Sequence, residues 1–464
     1  MKQNMRLLQK TATICLSVII IASATTTLSG CDEFLTYLEE LESDIYDSST
    51  EATSEGFGES AEQDETRDNC TDENGDNGEQ TVIDTEELSE ENDDSLPDCE
   101  SNTKSEIETD IENNIESNTE ETEYDGPKVL TYANVGEFSS GRNIVVFVVD
   151  RFDENYYETM VSSVPDYFER LDGFTHYTDY TSLYARTYPA IASMLTGKDH
   201  DYLSKKSKST KLNEFYSNGG GKLGVLKENG YNINIYTGKG NSYSEASVMA
   251  DYADNVSRKA GEVACTTNIS AHRAQLDQAG FRLVEGYGQF TFIHLYGCHD
   301  TSLSVKNRII VTFDLIYYYL DQMKELGIYE DSTIIITGDH PAALSDSKMI
   351  GSANSKDDGT RVTAMFFKRS GESGTPLKYS SAQISQDELW NTIFESEGLL
   401  DEKDGESFFD IPEGVDRERR YIFELYKNSK NNGLKYNKLI EYKITGSANN
   451  GDNWKIEKET DIVK

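Results

Sequence analysis

The sequence predicts an α/β fold with a doubly wound, mainly parallel sheet sandwiched by helices, and a small C-terminal subregion that contains strands. Three mostly apolar runs, at 143–149, 289–295 and 333–338, carry this prediction. Such runs are typical of strands that are buried on both faces of a parallel sheet. Segments with helical spacing lie between them, and this alternation of strands and helices favours the doubly wound arrangement.

The N-terminus predicts export from the cytoplasm. Lys2, Arg6 and Lys10 precede an apolar run at 14–21 that is too short for a membrane-spanning helix. The sequence Leu-Ser-Gly-Cys ending at Cys31 resembles the lipobox of bacterial lipoproteins, which implies cleavage before Cys31 and a lipid on its sulfur. An ordinary signal peptide or an anchor helix is the alternative. We therefore expect residues 1–30 to be a lipoprotein signal peptide and the mature protein to be extracytoplasmic, anchored by lipid to the cell membrane.

Residues 31–126 are predicted to be an acidic, disordered tether. By count this segment carries about 36 Asp and Glu but only two basic residues, Arg67 and Lys104, so it holds most of the formal charge of -41. Such a segment buries too little apolar surface to offset the entropy lost on ordering. A tail that binds cations or a partner is the alternative. A nucleic-acid partner is disfavoured because the chain has no basic stripe.

Cysteines add little to the prediction. Cys70 and Cys99 lie in the tether, and Cys265 and Cys298 lie in the predicted folded part. An extracytoplasmic setting permits disulfides, and four cysteines allow three pairings, among which the sequence does not choose. No paired C-x-x-C spacing of a structural zinc site is present.

The folded part is predicted to comprise a catalytic domain at 127–400 and a C-terminal subregion of the same domain at 401–464. The remaining predicted elements are helices at 154–171, 187–197, 221–229, 304–326 and 385–395, strands at 233–237 and 362–367, an edge strand at 439–444, and a loop at 175–186. Proline in the first turn and glycine at the end support the second helix, and a Ser385/Glu388 capping box supports the last. The segment 240–286 carries no clear signal.

Charged or nucleophilic side chains follow several of these elements. Asp150 and the pair Asp339-His340 come directly after strands, and His294 with His299 ends a third strand. Ligands bind at the carboxyl ends of strands in open α/β sheets, and an Asp-His pair offers the oxygen and nitrogen that suit Zn²⁺ or Mn²⁺. Thr187 begins a helix, where backbone N–H groups favour an anion. We expect these groups to converge.

In this order, the segments resemble the alkaline phosphatase superfamily, specifically its sulfatase-like branch and the phosphoglycerol transferases similar to lipoteichoic acid synthase. The resemblance covers most of residues 140–400. It rests on 143–150, on 187–198, on 294–299 and on 326–340, and the tail at 439–454 is similar to the C-terminal strands of the phosphoglycerol transferases.

The resemblance implies one divalent ion, Mn²⁺ or Zn²⁺ before Mg²⁺ or Ca²⁺, held by Asp150, Asp339, His340 and the Thr187 hydroxyl. Thr187 would also be the nucleophile and would form a phosphothreonine intermediate, because coordination to a metal activates a hydroxyl. His299 would contact the substrate anion or protonate the leaving group. The resemblance adds His294 and Lys198 as substrate-binding residues, with a buried core histidine as the alternative for His294.

Departures from the family pattern narrow the expected chemistry. Thr187 cannot be oxidised to the formylglycine of sulfatases, and Ile191 stands where their motif has arginine. No histidine follows His340, which favours one metal over two. Lipoteichoic acid synthases have Glu where this chain has Asp150. We expect a phosphoryl or phosphoglycerol transferase, or a phosphodiester hydrolase, acting on glycerophosphate, lipid or polymer of the cell envelope. The alternatives are a hydrolase of small phosphate or sulfate esters and a catalytically degenerate surface binding module.

Overall fold

The computed structural model describes residues 129–200, 221–237, 251–257, 266, 268–299, 302–342, 362–400, 405–425 and 436–463. The predicted signal peptide, the lipidation site Cys31 and the acidic tether lie outside these residues, as do Cys70, Cys99 and Cys265. Among the helices described, none combines the length and apolarity that crossing a membrane requires.

Strands and helices alternate along the described chain. The strands are β1 (Val129–Leu130), β2 (Glu137–Ser139), β3 (Asn143–Val149), β4 (Thr175–Tyr177), β5 (Tyr180–Thr181), β6 (Tyr231–Tyr236), β7 (Val256–Ser257), β8 (Arg282–Val284), β9 (Gly288–Leu295), β10 (Ser332–Gly338), β11 (Met365–Lys368), β12 (Lys378–Ser380), β13 (Ile384–Ser385), β14 (Glu418–Leu425), β15 (Tyr436–Thr445) and β16 (Trp454–Val463). The α-helices are α1 (Glu154–Ser163), α2 (Thr187–Thr196), α3 (Lys222–Glu228), α4 (Ile269–Ala279), α5 (Val305–Glu325) and α6 (Leu389–Ser396).

Seven strands form the central sheet in the order β12-β4-β11-β10-β3-β9-β6. Neighbouring strands pair in parallel except around β11, which is antiparallel to both β10 and β4. The prediction of a mainly parallel sheet is therefore confirmed.

Helices cover both faces of this sheet. Successive residues of β3 point to opposite faces, as the pleat of a strand requires. Ile144, Val146 and Val148 pack in one hydrophobic cluster with residues of α2, α3 and α6. Val145 and its alternate neighbours pack in a second cluster with residues of α1, α4 and α5. The doubly wound arrangement is thus confirmed, and both faces of β3 are buried as its apolar run predicts.

Two predicted elements are shorter in the structure. The helix expected at 154–171 ends at Ser163, because Pro165 disfavours helical backbone in the residue before it, and a separate 3₁₀ turn follows at Tyr167–Arg170. The strand expected at 362–367 begins only at Met365. Before it, the backbone N–H of Thr363 donates to Tyr180 O and that of Ala364 donates to Phe152 O, so this segment bonds outside the sheet.

Three further predictions need correction. The expected loop at 175–186 contains β4, a strand of the central sheet, and β5. The unassigned segment at 240–286 contains α4. The expected edge strand at 439–444 belongs to β15, which is the middle strand of a three-stranded antiparallel sheet with β14 and β16, here called the C-terminal sheet. The first correction depends on strand pairing over a long sequence separation, which a local pattern does not encode, because β4 pairs with β11 and β12. The third depends on β14 and β16, the strands on either side of β15 in sequence, which the sequence analysis did not assign.

The C-terminal sheet is joined to the segment that precedes α2. The backbone N–H of Ile422 donates to Leu183 O at 2.8 Å, and that of Ala185 donates to Ile422 O at 3.2 Å. This pairing ties β14 to the start of the helix that begins at Thr187.

Candidate metal centre and nucleophile

Two neighbouring strands of the central sheet bring the two aspartates together. β3 and β10 are parallel, with Val149 opposite Gly338, so Asp150 and Asp339 leave the same edge of the sheet side by side. Gly338 permits a close approach here, because a Cβ at this position would lie 2.2 Å from Phe152 O. Asp150, Asp339 and His340 each offer a ligand atom, and the three atoms lie within 4.8 Å of one another.

The carboxylates are held in place but only partly satisfied. Asp339 Oδ1 accepts hydrogen bonds from the backbone N–H of Arg151 at 3.0 Å and of His340 at 2.9 Å. Asp339 Oδ2 and Asp150 Oδ1 are buried, and neither has a hydrogen-bond partner in the described part of the chain. Burying an unpaired carboxylate oxygen is costly, and a cation removes that cost. The oxygens therefore fit a divalent ion.

Backbone strain accompanies this arrangement at Arg151. Its φ of 62° lies in the left-handed region, which a residue with a side chain rarely adopts. This turn directs the backbone N–H of Arg151 to Asp339 Oδ1. Arg151 directly follows Asp150, which supplies the other carboxylate of the centre.

His340 is oriented for coordination through Nε2. Its Nδ1–H donates to Pro341 O at 2.9 Å, because a carbonyl oxygen can only accept, and in the neutral ring the lone pair then lies on Nε2. Nε2 lies 3.5 Å from Asp339 Oδ2 and 3.2 Å from Thr187 Oγ1.

Thr187 reaches the centre from the start of α2. Arg186 is the N-cap residue in extended conformation, Thr187 is the first helical residue, and Gly197 ends the helix with φ 68°. The Thr187 side chain is half-buried. Its hydroxyl thus lies beside the proposed ligands and at a helix N-terminus, which favours a negatively charged group.

Two histidines lie near Asp150. His294 in β9 is buried, with Nε2 3.6 Å from Asp150 Oδ2. Burial would raise the pKa of Asp150, but the His294 ring, with smaller contributions from the other histidines of the centre, brings it below its ordinary value. His299 is half-buried and stacks on Tyr296 with ring centroids 4.4 Å apart. Burial lowers the pKa of His299 below its ordinary value. The charge of Asp150 acts in the opposite direction, and the charge of Arg151 lowers the pKa further.

Lys198 is the one expected site residue that the structure does not bring to this group. It follows the C-terminal end of α2, whereas Thr187 begins that helix. Ten helical residues span about 15 Å, so the two backbones are about that far apart. The Lys198 Cε instead lies near Gly221, 3.3 Å from where a Cβ would stand.

Asp153 was not expected as part of the centre. Its Oδ1 accepts from the N–H of Tyr156 at 3.0 Å as the N-cap of α1, and its Oδ2 accepts from the N–H of Ala342 at 2.9 Å. The second bond fixes the chain two residues beyond His340. Burial raises the pKa of Asp153 to about 7. An Asp just before a helix is a sequence signal for the first bond. The second bond joins residues 189 positions apart, and no local pattern predicts it.

Cys298, between the two histidines, is a free and buried thiol. Burial raises its pKa well above the ordinary value, and the charges of Asp153 and Asp150 act in the same direction. No disulfide therefore forms through Cys298 in this structure.

Neither a protein-family model nor a curated protein matches the sequence. Solved structures do resemble the chain. An alkaline phosphatase superfamily protein from Vibrio parahaemolyticus has a TM-score of 0.45 and 13% identity over 72% of this chain and 81% of its own. The lipoteichoic acid synthase LtaP from Listeria monocytogenes has a TM-score of 0.43 and 9% identity over 68% and 88%. The C-terminal periplasmic domain of EcEptC from Escherichia coli, in complex with Zn, has a TM-score of 0.43 and 10% identity over 61% and 89%. At such identities the activity must be inferred from this chain's own residues.

Proposed function

We propose that the protein is a metal-dependent phosphoryl or phosphoglycerol transferase, or a phosphodiester hydrolase, with Thr187 as its nucleophile. The observation that carries this proposal is the 3.2 Å separation of Thr187 Oγ1 and His340 Nε2 beside two buried aspartate oxygens without hydrogen-bond donors among the described residues. A threonine that only begins a helix has no need of such neighbours.

Asp150, Asp339, His340 and the Thr187 hydroxyl would hold the ion. Three carboxylate or hydroxyl oxygens and one imidazole nitrogen suit Mn²⁺ or Zn²⁺ better than Ca²⁺, which prefers oxygen ligands alone. The bound ion would supply positive charge that lowers the pKa of the threonine hydroxyl and offsets the charge on phosphoryl oxygens.

In the first step Thr187 Oγ1 gives its proton to solvent water and forms a bond to phosphorus, while the bond from phosphorus to the leaving alcohol breaks. His299 in its protonated form gives the leaving oxygen a proton. In the second step an acceptor hydroxyl or water gives a proton to neutral His299 and bonds to phosphorus, the Thr187–phosphorus bond breaks, and Thr187 Oγ1 takes up a proton from solvent water. The lowered pKa of His299 favours the neutral form that the second step needs.

The other residues of the centre act on these groups. The N-terminus of α2 stabilises negative charge on the phosphoryl oxygens. His294 Nε2 lies 3.6 Å from Asp150 Oδ2 and would orient that carboxylate, and the charged Arg151 side chain favours an anionic substrate near His299. Lys198 stays a prediction from the family pattern, apart from the residues that carry the mechanism.

Sulfate-ester hydrolysis is a weaker candidate because Thr187 cannot give an aldehyde nucleophile. A surface binding module without activity would not need a nucleophile beside its metal ligands. The substrate is proposed to be glycerophosphate-containing lipid or polymer of the cell envelope, reached by a protein held outside the membrane by lipid at Cys31 and lifted by the tether at 31–126.

The test uses the full-length chain purified in detergent with Mn²⁺ or Zn²⁺ and a phosphatidylglycerol donor. We expect one bound ion per chain and a phosphorylated or glycerophosphorylated Thr187, detected by mass spectrometry after rapid acid quench. Thr187→Ala should lose the label. Thr196→Ala, at the other end of α2, is the matched control and should be labelled like the wild type. A wild-type chain that binds the metal but never carries a group on Thr187 would refute the proposed nucleophile.

A further inference from the structure

A cavity of about 340 Å³ lies between the end of β9, the start of α4 and the first turns of α5. Its lining includes Tyr296 and Gly297 after β9, Asn268 and Ser270 at the start of α4, and Arg308 in α5. Sites for small molecules usually occupy roughly 300–1,000 Å³, so this cavity has room for a whole substituent rather than a single ion. Arg308 is the only charged side chain among the described residues that line it.

The pairing of β9 with β3 places this cavity beside the candidate metal centre. The two strands are parallel, with Val149 opposite Leu295, and the N–H of Asp150 donates to Leu295 O at 2.9 Å. Tyr296 therefore leaves the edge of the sheet next to Asp150, and its ring stacks on His299 at a centroid distance of 4.4 Å. A group in the cavity would thus belong to the alcohol whose oxygen exchanges a proton with His299, which is the leaving or the accepting alcohol.

Arg308 is half-buried and keeps part of its guanidinium free of protein partners. Its Nε donates to Leu303 O at 2.8 Å, and its Nη1 donates to Tyr156 Oη at 3.1 Å and to Cys298 O at 3.4 Å. These bonds use the N–H of Nε and both N–H groups of Nη1, and they hold the guanidinium in place. Among the described residues, Nη2 has no acceptor and no carboxylate pairs with the side chain. A positioned, uncompensated guanidinium favours an anionic ligand that accepts two hydrogen bonds.

The neutral residues at the start of α4 also favour an anion. Asn268 Oδ1 accepts from the N–H of Ala271 at 3.0 Å as the N-cap of this helix, which leaves the NH₂ group of Asn268 as a donor. Ser270 is exposed and adds a hydroxyl. The helix N-terminus contributes a partial positive charge to the side of the cavity that Arg308 does not cover.

We propose that this cavity binds a second anionic group of the substrate, carried by the leaving or accepting alcohol, and that Arg308 selects it. This inference rests on the proposed function and narrows its substrate class. An alcohol that ends in a negative charge is favoured over a neutral one, and an alcohol that ends in an ammonium group is disfavoured because it would face the guanidinium.

The test measures kcat/KM for two symmetrical diesters with the full-length, Mn²⁺-loaded chain. They are bis(4-carboxyphenyl) phosphate and its neutral isostere bis(4-carbamoylphenyl) phosphate. A charge-assisted hydrogen bond predicts that the ratio of the first kcat/KM to the second falls about 10- to 100-fold in Arg308→Gln. Taking the ratio within each protein cancels effects of the substitution on the centre itself. Arg308→Lys keeps the charge without the planar pair of N–H groups and should give an intermediate ratio.

Ser270→Asp tests the cavity without removing any hydrogen bond of Arg308. An acidic residue suits the first turn of a helix, so the fold should be kept. The new carboxylate should lower the same ratio, because it repels the anion. Arg273→Gln is the matched control. It removes one positive charge from α4 outside the described lining of the cavity, where Arg273 pairs with Asp277 at 3.1 Å, and it should leave the ratio unchanged.

An unchanged ratio in Arg308→Gln, or in Ser270→Asp if Arg308→Gln does not fold, would overturn the inference while leaving the proposed function intact. If the wild type turns over neither diester, the proposed function fails, and calorimetry with the two alcohols decides. Tighter binding of 4-hydroxybenzoate than of 4-hydroxybenzamide by the wild type, lost in Ser270→Asp, would support the anion site. Equal affinities, or no binding by the wild type, would overturn it.

Discussion

Two clusters of charged side chains are buried in this protein, and they differ in how their charge is balanced. In the first, Arg419 Nη1 bonds Asp179 Oδ1 at 2.9 Å and Nη2 bonds Gly446 O at 2.8 Å, while the N–H of Ala448 also donates to Asp179 Oδ1. In the second, Asp150 and Asp339 meet at the edge of the sheet, and one oxygen of each is buried without a donor among the described residues.

The difference separates a structural role from a functional one. The carboxylate of Asp179 is neutralised by a guanidinium of the same chain, which joins the C-terminal sheet to the main domain. Among the described residues, no guanidinium or ammonium group bonds the orphaned oxygens of Asp150 and Asp339, so folding leaves a negative site whose cost a cation from outside would relieve. The predictions below test whether the two clusters really differ in this way.

The largest expected effect is on metal binding by Asp339→Asn. The asparagine keeps an oxygen for the N–H groups of Arg151 and His340 but replaces the orphaned oxygen with an NH₂ group, which cannot ligate a cation. Metal affinity should fall more than about 100-fold, beyond the effect typical of residues outside the ligand shell, and turnover should fall with it. Metal titration and steady-state kinetics measure both.

Without metal, the same variant should be more stable than the wild type, because an unpaired buried charge has been removed. Urea unfolding in EDTA checks this. The exposed Asp461→Asn is the control and should change neither quantity. A metal-free Asp339→Asn that is clearly less stable than the wild type would mean that the carboxylate is structural, like that of Asp179.

The second effect concerns the paired cluster. Arg419→Leu leaves the Asp179 carboxylate buried and uncompensated, and should lower the free energy of unfolding by about 3–5 kcal/mol. Urea denaturation followed by circular dichroism measures this loss, and the metal content of the folded protein should be unchanged. A loss below about 1 kcal/mol would mean that the pair behaves like an exposed ion pair, and the contrast between the clusters would disappear.

The sequence allowed one of these clusters to be anticipated and not the other. Apolar runs that end in Asp150 and Asp339-His340 predict their own strands, and parallel pairing then brings those ends together. Arg419 and Asp179 are 240 residues apart, and neither follows a recognisable motif. Local pattern thus predicts strands and their ends, whereas contacts across the C-terminal sheet require the folded structure.

A third prediction concerns the pH dependence that Asp153 contributes to stability. Its pKa is about 7 in the folded chain and 3.8 as the reference for the unfolded chain. The folded state therefore binds more protons between these values, so the stabilising contribution is complete below pH 4 and is lost as the pH rises through 7. The loss amounts to at most about 4 kcal/mol, from 1.36 kcal/mol per pKa unit.

Asp153→Asn removes this titration while retaining an oxygen acceptor. The free energy of unfolding of the variant minus that of the wild type should increase from pH 4.5 to 7 in EDTA, as measured by urea unfolding at each pH. Asp461→Asn should show a flat difference over the same range. If the Asp153→Asn difference is equally flat, Asp153 is ionised in the fold, and the centre already neutralises its carboxylates without a cation.

The smallest effect concerns Cys298, which reports on access to the centre. Its thiol lies next in sequence to His299, and burial together with the nearby aspartates keeps its pKa high, so little of the reactive thiolate forms. At pH 8 the folded chain should react with iodoacetamide at Cys298 at least about 100-fold more slowly than the chain in urea, since reaction needs both the thiolate and exposure. Peptide mass spectrometry separates this site from the other cysteines.

A bound cation should leave the slow labelling rate of Cys298 unchanged, because burial of the sulfur raises the pKa of the thiol more than the aspartate charges do. Rapid labelling of the metal-free chain that slows on adding Mn²⁺ would instead mean that the unpaired carboxylates force the centre open, and that the cation is needed to close it as well as to balance its charge.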